Sequence, residues 1–322
     1  MHARSPLLRF DLFVVALLTV ALVGSLLPAA GGTYKVLHDV AMVAIALLFF
    51  LYGVRLSAAE TIAGLVNWRL HVAILAATFV LFPLAGLGLR ALAEPVVGVG
   101  LAAGLLLLCL VPTTVQSNVV YTRMAGGDTA AAVVAASLSS MIGVFLTPAL
   151  VGLLMSTHAT VSVHSVVRVV VQFLVPFVLG QLLRPLFGAW VTRNDPWLRH
   201  VDRSSILLVV FLAFSAGATA GVWSRVSGWG MAAAVGLCLA LLIAACALLV
   251  GLGRALGMSR PARIALLFCG SNKSLATGLP MASVLFPARD VALIVVPLMI
   301  YHQLQIVVGG LLVGRLNRGR HQ

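Results

Sequence analysis

The chain has 322 residues, of which 61% are hydrophobic and only 9% charged, with a mean hydropathy of +1.13. A soluble domain carries about 25% charged residues and needs a polar skin, so these proportions exclude one and describe a polytopic membrane protein. The formal charge of +13 does not point to nucleic acid, because the basic residues lie scattered between apolar segments and not on one face.

About 20 apolar residues cross a bilayer as a helix. On that rule the sequence predicts ten spans, over 10–28, 38–57, 70–91, 97–121, 128–155, 163–187, 203–223, 229–253, 262–286 and 291–316. The first apolar run lacks a small-residue cleavage site and reads as a retained helix, not a signal peptide. The connectors are short and hold Pro, Gly, Arg and Asp. Placing the N-terminus and every second loop on one side gives that side 15 Lys/Arg and the other side 5. This bias predicts cytoplasmic termini at both ends and an even number of spans. All eight acids are expected at span ends or in loops, which leaves Lys273 as the one charge at mid-membrane. Cys109, Cys238, Cys246 and Cys269 sit in apolar runs without metal-type spacing and read as small buried hydrophobes, with no disulfide implied.

Span four contains Val111-Pro112-Thr113-Thr114-Val115-Gln116-Ser117-Asn118. Pro112 removes a helical hydrogen bond and clashes with the preceding turn, so the helix is expected to break there, beside five polar residues. Span five carries Ser137, Ser139, Ser140 and Thr147; Ser137 and Ser140 are three apart and share a face. Small residues there also serve close helix packing. Span nine contains Cys269 to Gly278, with two glycines, two serines, Asn272, Thr277 and Lys273 at a depth where lipid offers no hydrogen-bond partner. A helix broken by Gly270 and Gly278 accommodates them if the freed backbone lines a cavity. Lys273 lies about 11 residues, or roughly 16 Å, into its span, too deep to snorkel easily. It can act as a tethered cation, pair with an anionic substrate, or take part in a proton cycle. Span ten contains Tyr301-His302-Gln303-Leu304-Gln305, polar groups that are costly at membrane depth unless they face a cavity.

Ser117-Asn118 and Ser271-Asn272 stand 154 residues apart, close to the offset between the first and sixth spans. Each pair therefore falls in the fourth helix of a five-helix half. Five is odd, so the second half enters from the opposite face, the layout of an inverted-topology repeat. The fold expected is all-α, with ten transmembrane helices as two inverted five-helix repeats, 1–156 and 157–322, and discontinuous crossing helices four and nine.

These features together resemble the bile acid:sodium symporter superfamily over the whole chain; Phe145-Leu146-Thr147-Pro148 in span five also fits. Cys269 to Gly278, followed by Leu279-Pro280, resembles its SBF-like branch of bacterial and eukaryotic members more than the true bile acid carriers. The resemblance implies a core domain of spans 3–5 and 8–10 and a panel domain of spans 1, 2, 6 and 7 that moves against it. It implies sodium-site roles for Ser117, Asn118 and Asn272, with Ser137 nearby, and substrate-side roles for His302 and Gln303. This sequence departs from the carriers at three places. Phe268 stands where they have glutamate, Lys273 where they have an asparagine, and span three has no glutamine. Any cation site here would rest on neutral oxygens.

The function expected is secondary active transport of a small or amphipathic organic anion, coupled to Na⁺ or H⁺ through alternating access. Thr113, Thr114, Gln116, Ser271, Lys273, His302 and Gln303 are the expected substrate contacts. The reading calls for a bacterial inner-membrane protein acting as a monomer in the lipid bilayer, with no cofactor beyond Na⁺ as coupling ion and no nucleic-acid partner. An uncoupled channel or uniporter would share the polar midplane. A non-transporting membrane regulator would need a partner surface that the short loops do not offer. An enzyme is not expected, since no acid–base pair or metal set lies inside the spans.

Overall fold

A computed structural model describes residues 12–55, 67–155 and 170–318. The start of the first span, the loop holding Glu60, the start of the sixth span and both chain ends lie outside the described residues. Among the described residues every regular element is helical. In chain order they are α1 (Leu12–Leu26), α2 (Gly31–Arg55), α3 (Trp68–Ala76), α4 (Phe82–Val97), α5 (Val99–Leu110), α6 (Gln116–Met124), α7 (Thr129–Met155), α8 (Val175–Arg193), α9 (Asp195–Thr219), α10 (Gly228–Ala255), α11 (Arg260–Ser271), α12 (Leu275–Leu285) and α13 (Ala288–Arg318). A π turn, Ala77–Leu81, joins α3 to α4 as one continuous rod. A second π turn, Val170–Leu174, leads into α8.

Seven of these rods are long and apolar enough to cross a membrane: Gly31–Arg55, Trp68–Val97, Thr129–Met155, Val171–Arg193, Asp195–Thr219, Gly228–Ala255 and Ala288–Asn317. Large apolar side chains such as Val43, Leu182, Leu186 and Ile243 stand exposed on them. Such a surface would aggregate in water and is what a helix turns toward lipid. The chain is a multi-pass membrane protein. α5 with α6, and α11 with α12, are pairs of shorter helices separated by a few extended residues.

Helix starts are written in local chemistry. Proline at the first helical positions begins α9 and α11, where its missing N–H costs nothing. Ser227 caps α10 by accepting the N–H of Gly230 at 2.9 Å. Gly98, with φ +82°, takes a left-handed conformation that lets α5 begin directly after α4.

Two helix groups result. α2 packs along α8 and on α9, and α1 packs along α9. In the other group α5 lies between α4 and α13, while α10, α11 and α12 also pack on one another or on α13, and α6 and α7 close the cluster. The groups meet mainly where α9 runs against α12 and α13. α2 and α8 approach so closely that a Cβ on Gly180 would strike the carbonyl oxygen of Phe50, and one on Gly53 that of Phe177. This is the small-residue crossing of membrane helices.

The expected starts of two spans need correction. α2 begins at Gly31, not 38, so Asp39 lies within the helix instead of at a span end. α9 begins at Asp195, not 203, and carries Arg199, Asp202 and Arg203 as helical residues and not as loop. The hydrophobic run marks only the lipid-facing part of a helix. Asn194 before it, the acidic first turn and Pro196 start α9 earlier.

Candidate functional site

The break between α5 and α6 is an accounting of backbone groups. Pro112 has no N–H for the carbonyl of Leu108. The next N–H, of Thr113, donates to Ser139 Oγ at 3.1 Å, which frees the carbonyl of Cys109. Val111 turns extended, φ −80° and ψ 153°, and leaves the helical ladder. All four carbonyls from 109 to 112 then find donors elsewhere. Thr147 Oγ1 donates to Leu110 at 2.9 Å, the amide of Ser274 donates to Pro112 at 2.8 Å, and the Lys273 ammonium takes Cys109 at 3.3 Å and Val111 at 3.0 Å. A buried carbonyl without a partner would cost free energy comparable to a lost hydrogen bond.

The break between α11 and α12 is built the same way. Asn272 is extended, φ −82° and ψ 149°. The Lys273 N–H donates to Gln305 Oε1 at 2.8 Å, and Gln305 Nε2 donates back to the Lys273 carbonyl at 3.0 Å. Tyr301 donates its hydroxyl to the Ser271 carbonyl at 2.7 Å. α12 restarts with Ser274 as its cap, whose Oγ accepts the N–H of Thr277 at 3.2 Å. The expected break at Gly270 and Gly278 is therefore corrected. Both glycines are helical, Gly270 packing on Leu249 and Gly278 on Leu298 and Val111. The helix parts at 272–274, because Gln305 on α13 and the Pro112 carbonyl just past α5 take those backbone groups.

The two breaks meet. Asn272 Nδ2 donates to Asn118 Oδ1 at 2.7 Å, and Asn118 Nδ2 donates to Thr113 Oγ1 at 2.8 Å. All three residues are buried. With the Ser274 to Pro112 bond, they tie both interruptions into one unit.

Beside the crossing lies a cavity of about 410 Å³ between the two helix groups. One wall carries Phe13, Tyr52, Arg55, Arg199, Asp202 and Arg203; the other carries Thr114, Gln116, Ser137, Ser140, Ser274, Thr277 and His302. The N-terminal turns of α6 and α12 both border it, and helix N-termini favour negative charge. Arg55 is engaged by Asp202 at 2.6 Å and Asp195 at 3.3 Å, and Arg199 holds Asp195 at 2.6 Å. Arg203 has no carboxylate within ion-pair distance among the described residues; its guanidinium lies 5.4 Å from the centre of the Phe13 ring.

Residues 11–318 match the family described as the SBF-like CPA transporter family. The chain belongs to that family. It is 45% identical over 312 residues to a protein of unassigned function from Pseudomonas aeruginosa, covering 96% of this chain and 94% of the relative. It is 45% identical over 321 residues to YfeH of Escherichia coli, provisionally named a symporter, covering 97% and 94%. Mouse sodium/bile acid cotransporter 7 is 29% identical over 316 residues, covering 95% and 92%. The resemblance to the bile acid:sodium symporters is thus shown, and the family is one of transporters, not of enzymes.

In this SBF-like transporter the residues singled out from sequence fall into three places. Thr114, Gln116, Ser137 and His302 line the cavity. Thr113, Asn118 and Asn272 form the buried hydrogen-bonded crossing behind it. Ser117 Oγ and Gln303 Nε2 are buried with no hydrogen-bond partner among the described residues, and neither residue lines the cavity. Ser271 donates its hydroxyl to the Leu267 carbonyl at 2.6 Å. Lys273 does not line the cavity; it is fully buried and turned to the carbonyls of Thr78, Cys109 and Val111. Sequence reasoning missed the wall formed by Tyr52, Arg55, Arg199 and Arg203. The available signal was the acidic helix start at Asn194-Asp195-Pro196, with Asp195 and Arg199 at helical spacing. Ser274 and Thr277, within the stretch Cys269 to Gly278 expected to line a cavity, do line it, though neither was named there as a substrate contact.

Proposed function

We propose that this chain is a secondary active transporter of a small or amphipathic organic anion, coupled to Na⁺ or H⁺ and working by alternating access. One observation carries the reading: the cavity between the two helix groups is faced by two half-helix N-termini and by Arg203, which has no carboxylate within ion-pair distance among the described residues. Together they favour an anion, and Phe13, Ile206 and Leu275 offer apolar surface to the body of an amphipathic one. A volume of about 410 Å³ lies in the range of small-molecule sites.

Counting α1 and each interrupted pair as one crossing gives ten spans, with the fourth and ninth broken. In this reading 1–156 and 157–322 are inverted halves, spans 1, 2, 6 and 7 form the moving panel, and spans 3–5 and 8–10 hold the site. The basic bias of alternate loops supports cytoplasmic termini at both ends, and the helical spans with the bacterial relative YfeH support the inner membrane. Ser117, Asn118, Ser137 and Asn272 are the candidate oxygens for Na⁺, supported by the buried hydroxyl of Ser117, which has no partner among the described residues. Thr114, Gln116 and His302 would face the anion. Thr113, Ser271 and Gln303 would shape the walls behind them.

The test is a thermal-shift panel of carboxylates, sulfonates and bile acids on protein purified in detergent, in Na⁺ and in choline buffers. Compounds that raise Tm are then assayed for counterflow in proteoliposomes. The reading expects at least one anion to raise Tm and to show saturable counterflow that a Na⁺ or pH gradient drives uphill. No stabilising anion in the panel, or flux that neither saturates nor shows counterflow, would contradict it.

A further inference from the structure

The Lys273 side chain is accounted for by neither the cavity nor an ion pair. Its ammonium is fully buried, and no carboxylate lies within ion-pair distance among the described residues. It instead donates to three backbone carbonyls: Thr78 at 3.2 Å, Cys109 at 3.3 Å and Val111 at 3.0 Å. An ammonium has three N–H groups, so all are used. The face of Phe82 lies 4.1 Å away, adding the attraction of an aromatic quadrupole for a cation.

Each of these carbonyls lacks a helical partner for a reason written in the chain. In the π turn the N–H of Phe82 bonds back five residues to Ala77 and so skips Thr78. The next amide belongs to Pro83, which has no N–H to give. Cys109 loses Thr113 to Ser139, and Val111 is past the end of α5. The last two also sit at a helix C-terminus, where partial negative charge gathers. A π turn in one helix and a break in another thus aim orphaned oxygens at one point.

We propose that the carbonyls of Thr78, Cys109 and Val111, floored by the Phe82 ring, form a monovalent-cation site whose resident cation is the covalently tethered ammonium of Lys273. The site holds α4, α5 and the α11–α12 break together. Because its cation is attached to the chain, this cage takes up and releases no mobile ion in the native protein. A coupling Na⁺ would have to use other oxygens. With the lysine truncated, the cage becomes a binding site for a small free cation, best for a primary ammonium that reproduces the three donors. The proposal concerns the cage and stands independently of transport.

The chain has only two lysines, Lys35 and Lys273. Protein labelled with [¹⁵N]lysine in a Lys35→Arg background therefore gives one side-chain NMR signal. The expected result at neutral pH is an ammonium with slowly exchanging protons; a neutral-amine signal would overturn the proposal. Lys273→Met, which keeps the volume and removes the charge, is expected to melt well below the parent protein, and equal Tm would overturn the proposal. Lys273→Ala is expected to regain Tm in methylammonium chloride relative to choline chloride at equal ionic strength, while the parent is indifferent to the exchange. Identical behaviour of the two proteins would overturn it. If neither variant folds, the NMR signal of the lysine-bearing protein decides alone.

Discussion

Asn118 and Asn272, 154 positions apart in the chain, share one amide hydrogen bond of 2.7 Å. In a buried setting that bond matters mostly through what its loss leaves behind, because an unpartnered amide keeps its desolvation cost. Asn118→Ala and Asn272→Ala are each expected to cost about 1–3 kcal/mol. The double variant should cost less than the sum, with a coupling of about 0.5–1.7 kcal/mol, the range of polar pairs between membrane helices. Unfolding by denaturant in detergent measures it, and strict additivity would mean that the two breaks do not share a bond. Arg203 belongs to a different argument. Its charge at the cavity wall has no carboxylate partner among the described residues, so Arg203→Gln should leave Tm unchanged and raise KM for the transported anion about tenfold, near 1.4 kcal/mol. Counterflow kinetics read this directly, and an unaltered KM would remove Arg203 from the anion's path.

The broken helices show which structure is local and which is not. Pro112 announced its own break, because a missing N–H is a property of one residue. The second break was legible in place but not in cause. Gly270 and Gly278 looked like the breakers, yet the backbone at 272–274 is diverted by Gln305 and by the carbonyl of Pro112, partners far away in sequence. Lys273 was visible as a charge at depth, while its direction depended on orphaned carbonyls in two other helices. The cavity wall of α9 escaped because a hydropathy run ends where the amphipathic part of the helix begins. Close approach is the other property of this scale. At the α2–α8 crossing the backbone of each helix occupies the space a side chain would need at Gly53 and Gly180. Gly180→Val should cost about 3 kcal/mol, the upper part of the usual overpacking range, since backbone cannot swing aside as a side chain does. Thermal unfolding in detergent checks this; a Tm equal to that of the native protein would show that the helices do not touch there.

At the level of the whole molecule, the cavity lies between a group of α1, α2, α8 and α9 and a group that contains both breaks. Transport by alternating access requires that these groups change their relative position while the crossing stays intact. Ile206 on α9 and Ala276 on α12 face the same cavity from opposite groups. The most direct measurement is counterflow of a stabilising anion by an Ile206→Cys, Ala276→Cys pair. It is made in protein whose four native cysteines are replaced, before and after linking with short bifunctional thiol reagents. The account predicts that linking the two positions stops counterflow, while either single cysteine treated with the same reagent keeps it. Full counterflow through the linked protein would contradict it.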